Sequence, residues 1–156
     1  MLAIPETMLR QMVRHAENDY PHECCGLLMG PKKRPEALTK IFPCENVQNE
    51  YHRRDSAKYP RDSRTAYFMD PDQLMEIQKK STAEGLALRV IYHSHIDTEA
   101  YFSDEDNRAA VWEDDPVYPD VGYLVFSVKD GRVVEYAFYV WNQKKRAYCE
   151  AFRKVR

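Results

Sequence analysis

Two short apolar runs constrain this chain most: Cys24-Cys25-Gly26-Leu27-Leu28-Met29, closed by Gly30-Pro31, and Leu86-Ala87-Leu88-Arg89-Val90-Ile91-Tyr92. A strand with one wet face alternates apolar and polar residues, so a run without alternation reads as a strand covered on both faces. Helices must supply the cover. Met8, Leu9, Met12, Val13 and Ala16 recur at helical spacing after Pro5, and Asp19-Tyr20-Pro21 ends that helix. Asp70-Pro71 opens a second, with Leu74, Ile77 and Ala83 as its buried stripe and Gly85 as its stop. A third is expected near Ser103. Further strands are expected over Leu38 to Val47, Gly122 to Val128 and Arg132 to Trp141, the last two joined by the turn Asp130-Gly131.

This order predicts an α/β domain with one mixed sheet flanked by helices. The 156 residues suit a single domain, assigned here to 1–141, with a basic tail over 142–156 packed on it or trailing from it. Asn49 to Thr65 is polar, carries Arg53, Arg54, Lys58, Arg61 and Arg64, and reads as a long surface loop. With 44% hydrophobic and 31% charged residues and a net charge of -2, the composition argues against disorder and against a nucleic-acid partner. No stretch approaches a membrane span, and the first residues lack the basic head of a secretory signal. A cytoplasmic protein with Cys24, Cys25, Cys44 and Cys149 as reduced thiols is therefore expected.

The chemistry lies where the second apolar run ends. His93 and His95 are two apart on a strand, so both side chains face one way and can reach one metal ion, while Ser94 faces the other. Ser103 follows after seven residues, and Asp106 three beyond it. Ser at an N-cap with an acidic residue at N3 is a capping-box variant, which alone explains both residues. The same helix start would also aim Asp106 at the ion. Three protein ligands leave a fourth position open, as catalytic zinc sites do. By chance, H-x-H-x7-S-x2-D arises roughly once in several thousand chains of this size.

With Glu23 on the strand ahead of it, this pattern resembles that of the JAMM (MPN+) metallopeptidases: a glutamate on an early strand, then H-[ST]-H-x7-S-x2-D. The stretch from Glu23 to Gly30 looks like that of the small single-domain bacterial members. The resemblance implies a cytidine-deaminase-like fold with one zinc ion held by His93, His95 and Asp106. It also implies that Glu23 is the general base for the water that zinc activates, and that Ser103 stabilises the oxyanion. The implied substrate is a ubiquitin-like sulfur-carrier protein ending in Gly-Gly; the alternative is an MPN-like protein-binding module without catalysis. Without the motif, Glu23 reads as a surface residue capping the turn after Pro21-His22.

Ile96 and Phe102 stand where small bacterial members often carry proline, so nothing local makes the loop between them rigid. Asp97, Glu99, Asp104 and Glu105 read as a solvated, substrate-facing rim. Adjacent cysteines seldom face one ion, so Cys24 and Cys25 read, with Cys44, as core thiols. His15-Ala16-Glu17 with Pro43-Cys44-Glu45-Asn46-Val47 lacks the second cysteine of the zinc deaminase signature. A Cys25-His22 nucleophile has no orienting partner.

Overall fold

The computed structural model describes residues 2–156. Its elements run α1 (Glu6–Asp19), β1 (Cys25–Pro31), β2 (Lys40–Cys44), α2 (Gln48–Arg54), α3 (Pro71–Ala83), β3 (Leu86–Ile96), α4 (Asp104–Ala110), β4 (Val111–Trp112), β5 (Asp115–Pro116), β6 (Gly122–Lys129), β7 (Arg132–Asn142) and β8 (Ala147–Val155). Six strands form one mixed sheet in the order β2-β1-β3-β6-β7-β8, in which only β3 and β6 pair in parallel. The expected α/β architecture is what forms. No helix among the described residues is long and apolar enough to cross a membrane.

Both apolar runs lie inside this sheet, and alternate residues feed two cores. Leu28, Val90, Tyr92, Leu124 and Phe126 pack against Met8, Met12, Val13 and Ala16 of α1. Leu27, Met29, Ile91, Tyr123 and Val125 form the other core with Ile77 of α3 and Ala110 of α4. The pleat therefore places His93 and His95 on the Ile91 face, and Ser94 on the α1 face with Tyr92. Tyr92 is fully buried because Gly26 has no side chain; a Cβ there would lie 2.3 Å from the ring.

Pro5 and Asp70 precede α1 and α3 as expected, and the Asp70 carboxylate accepts from the Asp72 N–H at 3.0 Å. Asp130 and Gly131 both take positive φ, at 50° and 77°, as a tight β6–β7 turn requires. Four expectations need correction. Ala83 is exposed, and Ser81 occupies its place in the buried stripe of α3. The second strand is shorter than expected, Lys40–Cys44, with Asn46 bridging separately to Met69.

The stretch read as a surface loop starts inside helix α2. That helix has no side-chain N-cap and buries only Gln48, so it gives neither of the usual signals of a helix. Aromatic residues anchor the excursion instead: Tyr51 meets Tyr59 edge-on and Phe68 at a tilt, with ring centres 5.2 and 4.5 Å apart. Finally, the basic segment that the sequence leaves without an element supplies edge strand β8. Arg153 there pairs with Glu135 and Glu150, each at 2.8 Å.

Candidate metal centre

Glu23 ends the turn before β1, and its neighbours hold that turn from several sides. The Glu23 N–H donates to the Ser63 carbonyl at 2.7 Å, and its carbonyl accepts from Asn46 Nδ2 at 2.9 Å. The Cys24 N–H donates to Ser94 Oγ at 2.8 Å, while the Ser94 N–H donates to the Cys24 carbonyl at 3.1 Å. Ser94 thus ties the Glu23 turn to the strand that carries the histidines. Asn46 binds further. Its Nδ2 also reaches the Ala66 carbonyl at 3.2 Å, and its Oδ1 accepts from the Gln48 and Phe68 N–H groups, both at 3.0 Å.

His93, His95 and Asp106 meet in one place. Asp106 Oδ1 lies 3.0 Å from His93 Nε2, Asp106 Oδ2 lies 3.2 Å from His95 Nε2, and the two Nε2 atoms are 3.3 Å apart. A Glu23 carboxylate oxygen joins one ring nitrogen from each histidine, all within 4.8 Å of one another. All four side chains are buried, with Glu23 only 4% and His93 0% exposed. Ser103 caps α4 as the capping-box reading requires: its Oγ accepts from the Asp106 N–H at 3.0 Å, and its own N–H donates to Asp106 Oδ2 at 2.9 Å. The helix cap and the cluster share one carboxylate. The two readings of Ser103 and Asp106 are compatible.

The donor set fits a cation. His95 Nδ1 lies 3.1 Å from the Glu99 carbonyl, which can only accept, so Nδ1 carries a hydrogen and Nε2 is the nitrogen turned to Asp106 Oδ2. A cation held between this nitrogen and the carboxylate would satisfy both. His93 Nδ1 is buried without a hydrogen-bond partner, and Tyr67 stacks on its ring at 4.5 Å. Burial pushes the His93 pKa down, against the pull of Asp106, which keeps a neutral lone pair available. Burial also pushes the Asp106 carboxyl up, but the two imidazoles outweigh it and hold that group well below the usual carboxylate range. Glu23 moves the other way, since burial and then the Asp106 charge raise its carboxyl well above the usual value.

A cavity of about 540 Å³ opens beside Glu23, His95, Ser103 and Asp106, and Tyr59, Arg61 and Tyr67 wall its far side. Sequence reasoning missed these wall residues. The basic spacing was visible, but nothing local indicates that the segment after α2 folds back onto β3. The acidic rim also needs correction. Of its four residues only Glu105 lines the cavity, while Asp97 accepts from Tyr20 Oη at 3.0 Å and Glu99 pairs with Lys129 at 3.2 Å.

The loop without prolines is pinned by other means. Ser127 Oγ donates to the Thr98 carbonyl, the Ala100 N–H donates to Glu135 Oε1 at 2.9 Å, and Tyr139 Oη donates to the Ala100 carbonyl at 2.8 Å.

The family model for prokaryotic homologues of the JAB domain matches residues 5–139. The chain belongs to this family. As a JAB-domain protein, it is similar to the CysO-cysteine peptidase of Mycobacterium tuberculosis, with 31% identity over 132 residues, 83% of this chain and 75% of that protein. It is also similar to the desampylase of Haloferax volcanii, 28% identical over 128 residues, 82% of this chain and 78% of the relative. A solution structure from Desulfitobacterium hafniense has the same fold, with a TM-score of 0.69 and 23% identity over 96% of this chain and 89% of that one. A second, from Salinibacter ruber, gives 0.64 and 23% over 97% and 89%. The membership makes this chain a JAMM-type hydrolase.

Proposed function

We propose that the chain is a zinc-dependent peptidase that hydrolyses the amide bond at or just after the C-terminal Gly-Gly of a ubiquitin-like sulfur-carrier protein. The observation that carries this reading is the convergence of two imidazole nitrogens on one buried carboxylate, with a second buried carboxyl beside them. The substrate class follows the names of the two enzyme relatives, a CysO-cysteine peptidase and a desampylase. The four free cysteines support a reducing, cytoplasmic setting.

His93, His95 and Asp106 are the zinc ligands in this reading, and Glu23 is the general base. The two carboxyls are separated by their surroundings: Asp106 stays ionised and suits a ligand, whereas Glu23 has a raised pKa and suits a group that takes and returns a proton. Zinc bound here supplies a Lewis acid that lowers the pKa of water from near 16 to about 7. Glu23 accepts the proton of the attacking water and delivers it to the departing amine as the C–N bond breaks and a C–O bond forms. Ser103 Oγ already accepts from the Asp106 N–H, so its own hydrogen remains free to donate to the developing oxyanion.

Bound zinc and cleavage of a Gly-Gly-tailed ubiquitin-like protein test this together. About one zinc per chain is expected, lost in both His93→Ala and Asp106→Ala, while Glu23→Gln keeps the zinc and loses at least about 100-fold in turnover. A folded chain that resists zinc loading would return Ser103 and Asp106 to the role of a helix cap and favour the non-catalytic binding module.

A further inference from the structure

One wall of the cavity beside the cluster carries the basic residues. Lys58, Arg61 and Arg108 line it, and Glu105 is the only carboxylate on its outer wall, with Glu23 and Asp106 at its floor. Glu105 is held by Arg108 and lies 4.0 Å from Arg61 Nε. Lys58 has no carboxylate partner among the described residues, and its Nζ sits 5.4 Å from the centre of the Tyr59 ring. The one other contact of the Arg61 guanidinium is a 3.5 Å approach to the Thr65 carbonyl, so most of its donors are free. The lining balances three cations with three acidic residues, but Lys58 and most of the Arg61 donors are unengaged and face a cavity whose volume falls in the usual range of about 300–1,000 Å³ for ligand pockets.

We infer that this wall binds the free α-carboxylate of the residue that follows the scissile bond, with Arg61 as its principal partner and Lys58 as the second. The inference rests on the peptidase reading and narrows its substrate. With its carboxyl in the scissile amide, the Gly-Gly segment itself is uncharged. An anion comes within reach of the cluster only if the residue beyond the bond ends its chain, as in a carrier extended by one residue. A lysine side chain in an isopeptide presents no carboxylate at that distance, and it belongs to a folded protein too large for the cavity. The arrangement therefore selects removal of a terminal residue over release of a conjugated protein. Arg61 and Lys58 are specificity-determining residues in this assignment.

The test is calorimetric titration of the zinc-loaded Glu23→Gln protein with acetyl-Gly-Gly-Ala, as the free acid and as the C-terminal amide. The free acid is expected to bind about tenfold more tightly, as a charge-assisted hydrogen bond at a half-exposed site allows. Arg61→Gln in the same background should remove most of that preference, Arg61→Lys should keep most of it, and added salt should shrink it. Carboxylate attraction to zinc itself is common to all three proteins and so cancels. Equal binding of acid and amide, binding of neither, or an undiminished preference in Arg61→Gln overturns the inference. Failure of the peptidase reading is distinct: the protein takes up no zinc and cleaves nothing, while the acid preference, measured without metal, still reports the cations.

Discussion

At the scale of single residues, Asn46 and Glu23 make the sharpest predictions. Asn46 makes four hydrogen bonds, joining the carbonyl of Glu23 to the backbone at Ala66, Gln48 and Phe68. Asn46→Ala leaves those buried groups unmatched and should cost about 2–4 kcal/mol of stability. Turnover should fall while bound zinc does not, since Asn46 touches no proposed ligand; denaturant unfolding and metal analysis read the two effects separately. Glu23 predicts a pH effect in the metal-free protein. Its folded-state carboxyl holds a proton above the unfolded value of 4.5, so the folded state binds more protons than the unfolded one, and stability falls as pH rises from there through the folded-state pKa. Glu23→Gln removes this slope, so its stability advantage over wild type should grow from pH 4.5 to neutral pH, as read by denaturant unfolding at both. His93, His95, Ser103 and Asp106 were legible because their spacing is local to one strand end and one helix start. Asn46 and Arg61 were not, because their partners lie 20 or more residues away or across a fold-back that no local periodicity records.

Among the elements, β1 and β3 carry the argument. Their apolar runs announced buried strands, and both feed the two cores. The approach of β1 to β3 depends on Gly26, so Gly26→Ala should push against the Tyr92 ring and cost about 1–3 kcal/mol. Because Cys25 pairs with His93, the same change should also lower zinc affinity, which competition with a chelator would measure. Helix α2 and strand β8 were harder to read for opposite reasons. One buries a single residue and lacks a cap, and the other has a solvent-exposed basic face that resembles a tail. In β8 the pairing with β7 and the Arg153 contacts supply what the pattern lacks. Arg153 Nη2 reaches Tyr139 Oη at 3.2 Å and the Ala100 carbonyl at 3.3 Å. Arg153→Met should therefore loosen the 97–102 loop more than it destabilises the whole domain, a difference that amide hydrogen exchange resolves.

Across the whole molecule, the candidate metal site sits where the single parallel pair of the sheet ends, between two cores that differ in cover. The α1 face is sealed by one amphipathic helix, while the other face is assembled from several pieces: α3, α4, the β4–β5 hairpin and the stretch from Lys58 to Phe68. Access to the cluster lies on the second face. The shared Asp106 carboxylate has a consequence for metal exchange. The cap bonds from Ser103 orient it without any ion, so departure of the proposed zinc need not unravel the start of α4. The apoprotein should keep an open socket and take up zinc at a rate set by encounter and dehydration of the ion, with no refolding phase.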